Sequence, residues 1–416
     1  MEPYRPRLLD ALLTELVAGL PAVMLVGARA TGKTTSASRL AATTVHLDRG
    51  VEASPFHDDP DTVLATLARP TLLDEWQQIP EILASVKRAV DRDNRPGQFL
   101  ITGSARAELL AGSWAATGRI VRLQQWGMCE RELVGNVTAP SFFDIAFDGQ
   151  LHTVRPPTVP PNLREYVDCA LRGGFPALAL QPSAALRQRW AASYIDQLLL
   201  RDAAISNEVR DPVRLRRYLT AVAANTAGIV DHKTIYDTAG IGRETAVAYD
   251  SLLELLFVTE RIPAFHRNTM LRLVKGPKRY LIEPALLGPL LGLNVDGVLR
   301  DGDMLGRLID SFVVSQLRPE LEVSSVAPRL FHVRRDDGGH EVDLVAEAPD
   351  GRVVAMEIKS SAAPNATDAR HLLWLQESLG SAFVAGIVFH TGPRAFMLAP
   401  AIHALPIAAL WGTIDS

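Results

Sequence analysis

The stretch Gly27-Ala-Arg-Ala-Thr-Gly-Lys33-Thr34-Thr35 follows an apolar run, Ala22 to Val26, and precedes the helix-forming segment Ser36 to Leu40. A short, continuously apolar run is what a strand of a parallel sheet requires, because both of its faces are covered. Between such a strand and a helix, the spacing Gly-x-x-x-x-Gly-Lys-Thr turns backbone N–H groups inward onto phosphate oxygens. Lys33 is then expected to reach the outer phosphates, and Thr34 to set its hydroxyl on Mg2+. The helix beginning there adds its N-terminal dipole. A Gly-rich turn with an incidental lysine would need neither the strand nor the helix. The feature commits the first part of the chain to an α/β fold, with Gly27, Ala28, Arg29, Ala30, Thr31, Gly32, Lys33, Thr34 and Thr35 as candidate contacts of a nucleoside triphosphate.

A second element fits the same site. In Pro70-Thr-Leu-Leu-Asp74-Glu75 an apolar strand ends in two acids, some forty residues after the lysine loop. One carboxylate at such a strand end assists Mg2+ and the next activates the attacking water, as in ATP hydrolysis. Asp74 takes the metal role and Glu75 that of general base. A third strand, Gln98 to Ser104, ends in hydroxyls. Thr102 or Ser104 would sense the γ-phosphate, or Ser104 would cap a following helix. In a fold of this kind the third strand lies between the other two.

Size and composition set the outer bounds. A chain of 416 residues is expected to form two or three domains. It is 47% hydrophobic and 22% charged, with formal net charge −4, so no global basic field draws it to nucleic acid and any such surface is a local patch. Its two cysteines, Cys129 and Cys169, form no CxxC pair, which argues against a structural zinc or a disulfide framework and fits a reducing compartment. Asp10 and Glu15 interrupt the apolar N-terminal segment, against a signal peptide. A soluble cytoplasmic protein without a membrane segment is expected.

With these residues in view, the sequence resembles the prokaryotic AAA-type ATPases that carry a C-terminal domain of unknown function. GARATGKTT, LLDEWQQIP and FLITGSAR stand where that family has its lysine loop, acidic strand and third strand. ATGRIVRL, RGGFPAL, SYIDQLLLRD, KRYLIEPAL and GRLIDSFVVSQL follow in the family's order. The resemblance implies an ATPase using ATP and Mg2+, and marks Arg119 as a candidate arginine acting on phosphate, in a neighbouring subunit of a homo-oligomer. Arg106 and Arg122 stay open as alternatives.

Four prolines between Val154 and Asn162 exclude a helix interior and read as a connector. Expected domains are therefore a P-loop ATPase domain over 1–153, a helical segment and winged helix over 162–285, and a nuclease-like domain over 286–416. Asp231 to Leu256 reads as helix, turn at Gly240, helix, and the segment after it as two strands joined by a wing, an architecture whose commonest ligand is DNA. The second helix sets Arg243 against Glu244, Asp250 and Glu254, a poor match for phosphate. The wing carries Arg261, Arg267, Arg272, Lys275, Lys278 and Arg279, the candidate nucleic-acid contacts.

The last segment reads as a hairpin, His340 to Glu347 and Arg352 to Ser360, around Asp350-Gly351. Alternation puts Glu341 and Asp343 on one face of its first strand, and Glu357 and Lys359 on one face of its second. Opposing carboxylates such as Asp343 and Glu357 would hold Mg2+, and Lys359 would polarise water. Asp343, then Glu357-x-Lys359, resembles the PD-(D/E)xK phosphodiesterase superfamily, which implies an α/β restriction-endonuclease-like core and an upstream acid, for which Asp310 is the candidate. Two functions follow: an ATPase acting on or regulated by DNA, or an ATP-dependent signalling switch that binds a protein partner and carries an inactive core.

Overall fold

The computed structural model describes residues 4–104, 118–201, 211–266, 276–334 and 339–415. They fall into two compact units, one built mainly on 6–127 and the other mainly on 128–252 and 259–416.

The first unit is a five-stranded sheet: β1 (Ala22–Val26), β2 (Thr43–His46), β3 (Thr71–Asp74), β4 (Phe99–Gly103) and β5 (Val121–Gln124), in the order β2-β3-β4-β1-β5. Every neighbouring pair is parallel. Strands β1, β3 and β4 are buried along their whole length, which is why their sequences are continuous apolar runs without alternation. As expected, β4 lies between β1 and β3. The helix Ile82–Arg92 is amphipathic, burying Ile82, Leu83, Val86, Ala89 and Val90 and leaving Arg88 and Asp91 outward. In this order the C-terminal ends of β1, β3 and β4 form one rim, the place where ligands of parallel sheets bind.

The second unit combines helices with a six-stranded mixed sheet. Helix Leu163–Arg172 is set by an Asn162/Glu165 capping box. Helices Pro212–Ala224, His232–Ala239 and Arg243–Leu255 follow, the middle one stopped by Gly240 at φ 66°. After a two-residue strand β6 (Val154–Arg155), the chain forms a ribbon of β7 (Thr259–Ile262) and β8 (Lys278–Leu281), antiparallel. Helix Gly302–Val323 then leads into β9 (Arg329–Arg334), β10 (Glu341–Glu347), β11 (Val353–Ile358), helix Arg370–Leu379, β12 (Phe383–His390), β13 (Phe396–Ala399), β14 (Ile402–Pro406) and β15 (Thr413–Ile414). The large sheet runs β13-β14-β12-β11-β10-β9. Strands β9, β10 and β11 form an antiparallel meander, and β11, β12 and β14 run parallel. Val333, Val342, Val345, Val353, Ala355 and Val388 pack on Leu372, Leu375 and Leu379 of the helix that crosses from β11 to β12.

Two buried polar contacts tie this unit together. Arg131 makes a bidentate pair with Glu320 at 2.8 and 2.9 Å, and Glu320 also accepts from Phe142 N–H at 2.8 Å. Glu283, after β8, accepts from Gly174 N–H at 3.0 and 3.1 Å and from Ala285 N–H at 3.3 Å. Burial pushes the Glu283 carboxyl up to about 7 against these N–H donors.

Among the described residues, no helix is long and apolar enough to cross a membrane.

Candidate nucleotide site and the carboxylate cleft

The loop after β1 is shaped by positions that tolerate little but glycine. Gly27 has φ 149°, and a Cβ there would sit 2.2 Å from Gln125 O. Gly32 adopts the left-handed conformation, φ 91°, at the cap of helix Lys33–Ser38. Two side chains hold the loop from outside: Arg7 donates to Thr31 O at 2.9 Å and to Trp126 O at 2.8 Å, and Gln125 donates to Thr31 O at 2.8 Å. Sequence reasoning missed both, because each works through a backbone carbonyl and leaves no spacing signal.

Lys33 lies in the curl of the loop and donates to Gly27 O at 3.0 Å and Ala28 O at 2.7 Å. Burial lowers its ammonium to about 8, although Glu75 and Asp74 pull the other way. Thr34 donates to Asp74 Oδ1 at 2.7 Å, Thr102 donates to the same oxygen, and His46 Nδ1 lies 3.0 Å from Oδ2. The loop after β1 and the ends of β2, β3 and β4 thus converge on one carboxylate. Glu75, the next residue, has φ 58°, a left-handed conformation that is strained for a residue with a side chain. Gln77 donates to Glu75 Oε2 and, at 3.2 Å, to Ser104 Oγ, while Arg29 Nε donates to Ser104 at 3.3 Å. Thr102 and Ser104 therefore divide the work: the first buttresses Asp74, the second faces Glu75 and Arg29. Gln77 is a further residue that pattern reading did not find.

Of the candidate arginines, Arg119 pairs with Asp91 at 2.8 Å at the surface of the first unit, and Arg106 lies outside the described residues.

The second unit holds a cleft of about 530 Å³ lined by Asp310, Glu341, Asp343, Glu357, Lys359 and Arg307, among others. The antiparallel register of β10 on β11 sets Leu344 opposite Met356 and brings Asp343 beside Ile358, whose N–H donates to Asp343 Oδ2 at 3.0 Å. Glu341 is exposed at the edge. Glu357 accepts from Lys359 at 2.8 Å, and its Oε1 is buried without a partner. Burial, reinforced by Asp343, pushes the Glu357 carboxyl up to about 8.

One expectation needs correcting here. Lys278 and Arg279 do not face outward as wing cations. Lys278 is 2% exposed and pairs with Asp310 at 2.5 Å and Asp343 at 3.1 Å. Arg279 is buried beside Val230 O, 3.1 Å away, and near Asp250, which also accepts from Tyr218 at 2.7 Å. An unpaired carboxylate is too costly to bury, so each inward acid draws in the nearest cation. Arg261 is exposed, and Arg267, Arg272 and Lys275 lie outside the described residues. Asp343 and Glu357 both line the cleft, and among the described residues no group of three or more His, Cys, Asp or Glu side chains is arranged to hold a metal ion.

Residues 20–134 match the family described as AAA domain. Residues 163–297 match Domain of unknown function (DUF8612), and residues 305–410 match Domain of unknown function (DUF4143). Two relatives, Uncharacterized protein Rv2008c of Mycobacterium tuberculosis and Uncharacterized protein Mb2031c of Mycobacterium bovis, are each 27% identical over 393 residues, covering 93% of this chain and 80% of theirs. A solved structure, the Walker-type ATPase of Pyrococcus abyssi, aligns with TM-score 0.41 and 15% identity over 68% of this chain and 94% of that one. The parallel-sheet unit that carries the lysine loop is thus the part of the chain that matches an AAA domain, a match that supports ATP binding.

Proposed function

We propose that the protein hydrolyses ATP in its first unit and passes the outcome to its second. The observation that carries this reading is the convergence of Lys33, Thr34, Asp74, Glu75 and Ser104 on one rim of the parallel sheet. ATP would lay its phosphates over Gly27 to Gly32, and Lys33 would exchange its two loop carbonyls for β- and γ-phosphate oxygens. The Thr34 hydroxyl and the Asp74 carboxylate are adjacent hard oxygen donors and fit Mg2+. Bound with ATP, Mg2+ would neutralise charge on the phosphate oxygens. Glu75 orients the attacking water and accepts its proton, and Gln77 fixes the carboxylate through one oxygen. Arg119 would serve the phosphate of a second copy in a homo-oligomer. Lys33→Ala should bring phosphate release to background in a chain that keeps its circular dichroism spectrum. Undiminished turnover in that variant would refute the assignment.

Two outputs are open to the second unit. Helix His232–Ala239, Gly240, helix Arg243–Leu255 and the β7–β8 ribbon follow one another in the order of a winged helix, which supports action on DNA. Helix Gly302–Val323, β9 to β11, helix Arg370–Leu379 and β12 follow in the order of a PD-(D/E)xK core. The inward Lys278 and Arg279 favour the other output, a switch that binds a protein partner, since they leave the ribbon fewer cations for phosphate. ATPase rates with and without single- and double-stranded DNA separate the two. Salt-sensitive stimulation would establish the DNA reading, and rates unmoved by either DNA would leave the protein-partner switch.

A further inference from the structure

Each oxygen of Asp310 and Asp343 has a partner inside the protein. Lys278 Nζ donates to Asp310 Oδ2 at 2.5 Å and to Asp343 Oδ1 at 3.1 Å. The Tyr280 hydroxyl donates to Asp310 Oδ1 at 2.9 Å, and Ile358 N–H to Asp343 Oδ2 at 3.0 Å. Lys278 and Tyr280 come from β8, Asp310 from the long helix, Asp343 from β10 and Ile358 from β11, so four separate elements build the arrangement. A divalent ion needs six or more oxygens at about 2.0–2.6 Å. Here the two carboxylates are held around an ammonium with hydrogen-bond lengths.

We propose that Lys278 is a covalently tethered cation standing where a divalent metal would bridge Asp310 and Asp343, so that this core takes no metal and does not cleave phosphodiesters by a metal-dependent route. Burial works against the Lys278 ammonium, but Asp310 and Asp343 outweigh it and hold the ammonium well above the ordinary lysine value. Burial likewise raises the Asp343 carboxyl, and Lys278, the Ile358 N–H and Lys359 overcome it and hold it below the usual range. Lys359, the lysine of the motif, is paired with Glu357. A metal would have to expel a buried ammonium and two further donors from their partners, and the freed ammonium would need a new counter-charge. The inference stands apart from the ATPase reading, since it concerns residues of the second unit alone.

The test is a Mn2+ titration of the full chain followed by electron paramagnetic resonance. It is made without nucleotide and in an Asp74→Asn background that removes the acid of the nucleotide site. The chain with Lys278 should show no saturable Mn2+ site and should not nick supercoiled DNA in Mn2+. Lys278→Met should gain one site, which Asp343→Asn abolishes again. Saturable binding or nicking by the Lys278 chain that Asp343→Asn removes would overturn the proposal. So would a folded Lys278→Met chain that still takes no Mn2+, since the lysine would then not be what excludes the metal. If Lys278→Met does not fold, the Lys278 chain with and without Asp343→Asn decides alone: absence of a site upholds the proposal, and a site lost with Asp343 sinks it.

Discussion

The Thr34 hydroxyl and the Asp74 carboxylate lie 2.7 Å apart although 40 residues separate them in the chain. Thr102 reaches the same oxygen from the neighbouring strand. Thr34→Val should lower ATP turnover about a hundredfold, the scale on which misplaced catalytic groups cost rate. Thr102→Val should lose less, because it supports Asp74 from behind. Steady-state phosphate release measures both, and a Thr34→Val rate equal to the parent would separate this contact from hydrolysis.

Lys33 gives nucleotide binding a pH signature. Burial lowers its ammonium to about 8 in the free protein, so the charge that meets phosphate is complete below that pH and fades above it. ATP affinity should weaken from about pH 8 upward, by up to roughly tenfold per unit where only the ammonium form binds. Lys33→Arg keeps its charge throughout and should give a flat profile. Calorimetric Kd values between pH 7 and 9.5 provide the comparison, and parallel profiles would mean that the lysine amine does not titrate there.

Glu283 ties stability to pH in the second unit. Its folded carboxyl stands at about 7, above the ordinary glutamate value, so the folded state binds the extra proton between roughly pH 4.5 and 7. Stability is therefore lost as pH rises through that window. Glu283→Gln removes the titration. The stability difference, parent minus variant, should fall between pH 4.5 and 7 and level off above, as read by urea denaturation.

Glu283 also explains a glycine. Gly173 has φ 71°, and a Cβ there would lie 2.2 Å from Glu283 Oε1 and 2.5 Å from Ala285 Cβ. Gly173→Ala combines left-handed strain with a clash against a buried acid, and should cost about 2–4 kcal/mol. An unchanged denaturation midpoint would show that the acid has room to withdraw.

Glu320 and Arg131 are both nearly sealed from solvent. Truncating one partner leaves the other charged and buried, so Glu320→Ala should cost about 3–5 kcal/mol. Replacing both residues with apolar ones should cost less than the single change. A double-mutant cycle by chemical denaturation tests the ordering.

How far the sequence discloses the molecule depends on which interactions leave a pattern. The lysine loop, the acids ending β3 and the apolar strands were legible, because phosphate cradles and parallel sheets impose spacing and hydropathy. The helix–turn–helix at Gly240 and the hairpin around Gly351 were legible for the same reason. Arg7, Gln77 and Gln125 were not, since each serves a carbonyl or a carboxylate that only the fold brings near. Lys278 misled most. In sequence it is one more cation in a basic run, and only the burial of Asp310 and Asp343 gives it an interior address. Nor does the sequence show that Gly173 makes room for Glu283, whose carboxylate accepts from Gly174 N–H 109 residues away.

A metal ion is exchanged with the surroundings, but Lys278 is inherited with the chain. Its partners must be inherited with it, since loss of the lysine strands two buried acids and loss of both acids strands the lysine. Positions 278, 310 and 343 should therefore change together across descendants of this fold, or not at all. A descendant that keeps both acids without the lysine is where a metal-dependent enzyme should be sought.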